Sequence, residues 1–224
     1  MVNQWSFFEQ INRLIPQNCP LCADAAPANA LCTGCHTDLP WNQTACRRCA
    51  IPLETGALCA DCLRHPPLQQ RSIAPLRYEF PVDQLIAGLK YHGQLAHASL
   101  LGHFLLKQVL HNKLPRPDLV LPVPLHPRRL RERGYNQALE LSRPLLRHWK
   151  ISAETQLIYR QRHTFSQMKL GAAARARNPQ GAFQLNPSRL AALGKIQHVM
   201  IIDDVMTTGA TLQAISTLLQ EAGI

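Results

Sequence analysis

Val199–Met200–Ile201–Ile202–Asp203–Asp204–Val205–Met206–Thr207–Thr208–Gly209–Ala210–Thr211 is the stretch on which the fold turns. Its four leading apolar residues have the composition of a buried parallel strand. Two aspartates follow at the strand's carboxyl end. A Thr/Gly loop comes next, then Leu212, Ile215, Leu218 and Leu219 at helical spacing. Strand, loop and helix make half of a βαβ unit, and open α/β sheets bind ligands at that end of their strands. The loop Met206–Thr211 offers backbone N–H groups and the hydroxyls of Thr207, Thr208 and Thr211 to one anion, with a helix start behind it. Asp203 and Asp204 repel such an anion and suit what lies beside it, sugar hydroxyls or a divalent metal. A phosphate cradle next to a hydroxyl clamp fits a ribose 5-phosphate. The sequence has no G-x-x-x-x-G-K-S/T loop, which disfavours ATP hydrolysis.

The cysteines form a second, separate signal. All 8 fall within residues 19–62, as four C-x-x-C pairs: Cys19/Cys22, Cys32/Cys35, Cys46/Cys49 and Cys59/Cys62. A C-x-x-C turn presents two thiolates from one knuckle, and Zn²⁺ takes four in a tetrahedron, so four knuckles make two Cys₄ sites. A disulfide framework is the alternative, and a reducing compartment disfavours it. Pairing neighbouring knuckles in series gives each half the same nine-residue internal loop; alternate pairing gives a cross-brace. The series is expected. Such a module has little apolar core, so metal binding supplies most of its folding energy.

Charge is uneven along the 224 residues. Residues 1–75 balance five basic against five acidic groups, whereas residues 126–177 hold twelve basic and three acidic. A local basic surface of this kind suits pyrophosphate or nucleic acid. Met1–Gln17 carries Glu9 and Arg13 and has no long apolar run, so it reads as a short amphipathic helix and not as a signal peptide. No run approaches the roughly 18–20 apolar residues of a membrane span. The expected location is the cytoplasm, without membrane insertion.

After Leu63–Pro67, a linker and boundary, the chain is read as follows. A strand is expected over Ile73–Phe80, and helices over Val82–Tyr91, with Gly93 as a stop, and Leu95–Asn112. A short strand through Val120 should break at Pro122 into a shaped loop, because two prolines exclude a long central strand. Arg128 or Arg133, with backbone N–H groups after that strand, can hold a pyrophosphate or simply be solvated. Ala138–Trp149 is helical in pattern, and Arg160–Asn178 reads as a basic lid. A strand begins at Gly181–Phe183, and Pro187–Lys195 connects to the motif that opens this section. No histidine has convincing ligand spacing, and no nucleophile has a partnered base, so covalent catalysis is not indicated.

The thirteen-residue run, four aliphatics, two acids, an aliphatic and T-T-G-x-T, resembles the phosphoribosyl pyrophosphate motif of type I phosphoribosyltransferases. With the four knuckles, Leu89–Tyr91, Val123–Leu125, Arg133–Gln137, Gln167 with Leu170, Arg177–Asn178 and Ala182–Phe183, nearly the whole chain resembles the ComF family of competence-associated proteins. That resemblance implies an α/β fold: a type I phosphoribosyltransferase-like parallel sheet with helices on both faces over residues 68–224, preceded by a helix and double zinc ribbon over residues 1–67. It implies that Asp203 and Asp204 hold the ribose hydroxyls and stabilise the reacting sugar, and that Met206, Thr207, Thr208, Gly209, Ala210 and Thr211 bind the 5-phosphate. Lys90, the Val123–His126 loop with Pro124 and Leu125, Arg133, Arg162 and Gln167 would meet the pyrophosphate, with Mg²⁺ bridging. It also implies a role in DNA uptake during transformation. Two departures stand out. Family members usually continue through one more strand, whereas this sequence ends at Gly223–Ile224, so a sheet lacking its last strand is expected. Pro179 also stands where an aliphatic is usual.

Three readings stay open at this point. The first is a phosphoribosyltransferase whose acceptor is not identified. The second is a single-stranded DNA-binding protein, whose basic 126–177 region tracks phosphates while Tyr135, Trp149 or Phe165 stack on bases. The third is an adaptor whose zinc module docks a competence helicase or another competence protein, with a non-catalytic phosphoribosyl site.

Overall fold

In the computed structural model, which describes residues 17–27, 30–161 and 181–224, Val199–Ile202 lies parallel to Leu119–Pro122. The register runs from Leu119 beside Val199 to Pro122 beside Ile202. In chain order the described elements are β1 (Gln17–Asn18), β2 (Ala25–Ala26), α1 (Thr33–Thr37), α2 (Ala60–Arg64), α3 (Val82–Tyr91) and α4 (Leu95–His111). Then come β3 (Leu119–Pro122), α5 (Pro127–Arg133), α6 (Gln137–Trp149), β4 (Ile158–Arg160), β5 (Phe183–Leu185), α7 (Pro187–Ala192), β6 (Val199–Ile202) and α8 (Ala210–Glu221). β1–β2 and β4–β5 pair antiparallel. A parallel bridge from Val120 to Ala153 adds a third line beside β3.

The parallel pair is covered on both faces, and the side-chain alternation of its strands shows how. Val120, Met200 and Ile202 point into a core built with α3, α4 and α6, including Leu85, Leu89, Leu100 and Leu145. Leu119, Leu121, Val199 and Ile201 point the other way, into a core with Leu157, Phe183, Ile215 and Leu219. Period-two alternation between two apolar layers is what an aliphatic run in a parallel sheet produces. It makes the chain an α/β protein with helices on one face and α8 with the β4–β5 hairpin on the other.

The first core also reaches into the cysteine-rich segment, where Leu31 and Leu39 belong to it. Trp41 packs edge-on against Phe104 of α4, ring centroids 5.2 Å apart, and its indole N–H donates to His36 O at 3.1 Å. The strand expected over Ile73–Phe80 does not form. Pro75 removes one donor from that stretch, and its backbone is instead satisfied by the cysteine-rich segment: Asn42 N–H donates to Pro75 O and Arg77 N–H to Pro40 O, both at 2.9 Å. Pro187–Lys195, read as a connection, contains helix α7, whose N-cap Asn186 accepts from Arg189 N–H at 3.2 Å. The linker begins later than expected because Leu63 and Arg64 finish α2. The expected N-terminal helix and most of the basic lid lie outside the described residues.

α4 crosses α6 at close range. A Cβ built on Gly102 would lie 2.5 Å from Leu141 O and 3.0 Å from the Pro144 ring, so only glycine lets the backbones meet there. Gly102→Ala is expected to cost about 1–3 kcal/mol of unfolding free energy in a denaturant titration. An unchanged midpoint would mean that the crossing relaxes freely.

Candidate functional site

Two cysteine clusters stand apart from the parallel pair. Cys19, Cys22, Cys32 and Cys35 form one; Cys46, Cys49, Cys59 and Cys62 form the other, with the four sulfurs of each within 4.8 Å of one another. This is the series arrangement. Cys22 and Cys32 Sγ are 3.5 Å apart, and Cys49 and Cys59 Sγ 3.7 Å apart. A tetrahedron of sulfurs around zinc has edges of about 3.8 Å for bonds of ~2.3 Å, close to these two spacings. Local backbone geometry prepares the sulfurs. Cys32 Sγ accepts from Cys35 N–H at 3.5 Å and Cys59 Sγ from Cys62 N–H at 3.4 Å, each capping the short helix that follows. Burial raises the Cys19 and Cys46 thiols, but backbone N–H donors outweigh it and bring each down to about 6, which favours the thiolate that a metal needs. Among the described residues these are the only two places where three or more His, Cys, Asp or Glu side chains come close enough to share a metal ion.

The second site lies at the carboxyl edge of β3 and β6. Because the strands are parallel, the loops after Pro122 and Ile202 emerge side by side, and Val123 N–H donates to Ile202 O at 2.8 Å. Asp203 and Asp204 follow β6 directly, with Asp204 N–H donating to Asp203 Oδ1 at 2.9 Å. Met206, Thr207, Thr208, Gly209, Ala210 and Thr211 surround a shallow hollow of about 10 Å³. Gly209 adopts φ 72° immediately before α8, a left-handed turn that an L side chain resists. The segment past the cysteines also reaches this loop: Leu68 N–H donates to Gln213 Oε1 at 3.3 Å, and Gln69 Nε2 lies 4.0 Å from where a Gly209 Cβ would stand.

Beside the acids is a larger pocket of ≈ 450 Å³, walled by Lys90, Tyr91, Arg128, Arg129, Arg133 and Tyr135 together with Glu132, whose carboxylate accepts from Arg128 Nε at 2.9 Å. The sequence Arg133–Gln137 builds it. Gly134, at φ 83°, ends α5, and Asn136 caps α6 by accepting from Ala138 N–H at 2.9 Å. The Asn136 amide also donates to Val123 O at 3.0 Å, which pins the loop after β3. Tyr135 OH donates to Leu89 O and holds the last turn of α3, so Lys90 is delivered to the acids: its Nζ lies 2.9 Å from Asp204 Oδ2. Arg133 lines the pocket and donates to Gln137 Oε1. Pro124 and Leu125 sit half-buried in the loop after β3, outside the lining of either hollow. Arg162 and Gln167 lie outside the described residues.

Electrostatics tie these groups together. Desolvation first, and the Asp204 carboxylate second, push the Asp203 carboxyl up to about 7, against the pull of the Asp204 backbone N–H and Lys90. Arg160 stacks over Phe183, 5.2 Å from the ring centroid, at the end of β4. Burial and then the nearby Arg129 lower its guanidinium below the usual arginine range, while Asp203 opposes the shift. Arg160, read in the sequence as the start of the basic lid, is instead the last residue of β4 and feels both Arg129 and Asp203; Arg129 was not singled out in the sequence. Ile158–Tyr159–Arg160, a short β-prone run, is the signal that locates Arg160 on a strand end.

Residues 10–63 match the double zinc ribbon domain family. The chain is 36% identical over 198 residues to DNA utilization protein YhgH of Shigella flexneri, covering 86% of this chain and 85% of that protein. It is 35% identical over 217 residues to DNA utilization protein YhgH of Salmonella typhi, 93% of each chain. With Competence protein F of Haemophilus influenzae it shares 33% identity over 201 residues, 88% of this chain and 86% of the relative. No solved structure matches it significantly. The cysteine knuckles in series, the acid pair at a parallel strand end and near-full-length relatives of these names have one source: the chain belongs to the ComF family.

Proposed function

We propose that the protein binds phosphoribosyl pyrophosphate at the carboxyl edge of β3 and β6 and serves DNA uptake. In this reading residues 1–67 form a zinc module set on a type I phosphoribosyltransferase-like unit, residues 68–224. The carrying observation is the placing of three unlike surfaces within one edge: the loop Met206–Thr211 before α8, the acids Asp203 and Asp204, and the cationic pocket, with Lys90 spanning the last two. A 5-phosphate suits the loop amides and helix start. Ribose hydroxyls suit the acids, with Asp204 accepting and Asp203 able to hold its proton up to about neutral pH. A pyrophosphate suits Lys90, Arg128, Arg129 and Arg133. The acid pair already has an internal cation in Lys90, so Mg²⁺ fits this site as the partner of the pyrophosphate oxygens, whose charge it neutralises. The names of the relatives, DNA utilization and competence, support placing this binding in the handling of incoming DNA.

A second reading, single-stranded DNA in the basic pocket, is favoured by Tyr91, which is 56% exposed among the arginines and offers a stacking surface. Thermal melting separates the two. Phosphoribosyl pyrophosphate with Mg²⁺, at about a hundred times its Kd, should add about 2.7 kcal/mol and raise the midpoint by several degrees. An oligonucleotide bound through phosphates should raise it only at low salt. A rise with the oligonucleotide and none with phosphoribosyl pyrophosphate transfers the pocket to the second reading.

A further inference from the structure

Lys90 belongs to two surfaces at once. Its ammonium is 2.9 Å from Asp204 Oδ2, and the two side chains are only 16% and 6% exposed. The same residue lines the pocket that holds Arg128, Arg129 and Arg133. Asp204 Oδ2 is buried and makes no hydrogen bond, so the ammonium compensates it as a charge and not through an aligned N–H···O contact. A buried carboxylate tolerates loss of its counter-ion only if another donor takes its place. Around this pair stand Asp203 on the same loop, Arg129 from α5 and Arg160 from β4, and Tyr135 secures the backbone of α3 one residue before Lys90. The backbone of Lys90 is therefore fixed, while its side chain has two competing partners in reach: the carboxylate of Asp204 and any polyanion in the pocket.

We propose that Lys90 is a transferable counter-ion. In the ligand-free protein it neutralises Asp204; a pyrophosphate group entering the arginine-lined pocket draws the ammonium to itself and frees Asp204 to accept a hydrogen bond from a ribose hydroxyl. The inference rests on the phosphoribosyl reading of the site. It makes the pyrophosphate and sugar subsites thermodynamically coupled, because whatever separates Lys90 from Asp204 strengthens binding at both places, and the coupling is reciprocal. Lys90 is thus a positioning residue as well as a ligand contact, and the acid it restrains is the one that clamps the sugar.

The test is calorimetric titration of the zinc-loaded full chain with two probes, inorganic pyrophosphate with Mg²⁺ and ribose 5-phosphate, in the native protein, Asp204→Asn and Lys90→Gln. Saturating pyrophosphate should tighten ribose 5-phosphate binding to the native chain by about fivefold or more, and this gain should vanish in Lys90→Gln. Asp204→Asn, nearly identical in volume, should bind pyrophosphate about fivefold tighter than the native chain, because the ammonium no longer leaves a carboxylate to reach it. Equal pyrophosphate affinity in Asp204→Asn and native protein, or undiminished coupling in Lys90→Gln, overturns the proposal. So does absence of coupling in the native chain, a result that needs no variant to fold. Native protein that binds phosphoribosyl pyrophosphate but shows no coupling defeats this inference alone. Native protein that binds neither probe nor phosphoribosyl pyrophosphate defeats the phosphoribosyl reading with it.

Discussion

Removing zinc with a strong chelator is expected to unfold the cysteine-rich segment and to lower the melting temperature of the whole chain, and Cys46→Ser alone should produce much of the same loss. The segment has almost nothing else to hold it. β1 and β2 are 2 residues each and α1 and α2 are 5 residues each, lengths with no independent stability. Its buried apolar side chains are few and mostly small: Cys19, Cys46 (0% exposed) and Cys62, with Ala26, Ala50, Leu31 and Leu39. Structural zinc supplies roughly 10–16 kcal/mol in small finger peptides, as much as the ~5–15 kcal/mol net stability of a whole domain. The loss should propagate, because Leu31 and Leu39 share a core with α3, α4 and α6, and Trp41 packs on Phe104. A fall of roughly 10 °C or more is expected for Cys46→Ser, since each kcal/mol shifts a chain of this size by about 2–4 °C. A colorimetric zinc assay should return two equivalents per chain. A melting curve indifferent to the chelator would contradict the assignment of both clusters.

The next largest effect is expected from Asp204→Ala, which should weaken phosphoribosyl pyrophosphate by about three- to thirtyfold. A hydrogen bond to a charged acceptor is worth about 1.5–3 kcal/mol, and a ligand hydroxyl left facing an apolar methyl group forfeits it. The same change leaves the Lys90 ammonium, 16% exposed, without its carboxylate in the free protein. That released ammonium favours the pyrophosphate end of the ligand, so the measured loss is the sugar contact less this gain. Binding of inorganic pyrophosphate should therefore survive in Asp204→Ala while binding of the full ligand falls. Calorimetry on both ligands checks the pair of outcomes, and a variant with native affinity for phosphoribosyl pyrophosphate would remove Asp204 from the site.

The parts of this protein that were legible in its sequence are those whose signal is local. Four aliphatics before two aspartates give β6 and the acids at its end, because strand and loop chemistry are written in adjacent residues. Pro122 and Pro124 mark a short strand in the sequence, and β3 is 4 residues long, ending at Pro122. C-x-x-C spacing gives two clusters, because a knuckle is a single turn. The strand expected over Ile73–Phe80 was lost to a long-range competitor: residues 40–42 take its backbone hydrogen bonds, a partner some thirty residues earlier that periodicity cannot see. Arg133–Gln137 reads as a basic run, yet Tyr135 and Asn136 act mainly as fasteners, one to Leu89 and one to Val123 and the start of α6. The Lys90–Asp204 pair joins residues more than a hundred positions apart, and Arg160 reaches the acids only through β4, so neither contact has a local signature.

Calorimetric titration of the folded, zinc-loaded native chain with phosphoribosyl pyrophosphate, with and without Mg²⁺, tests the central claim most directly. Saturable binding at one site per chain is predicted when Mg²⁺ is present. It should be much weaker without the metal and lose less than tenfold when salt rises from ~50 to ~200 mM, unlike the steep loss of a phosphate-tracking DNA interface. Absence of binding to a folded chain in the presence of Mg²⁺ would contradict the account.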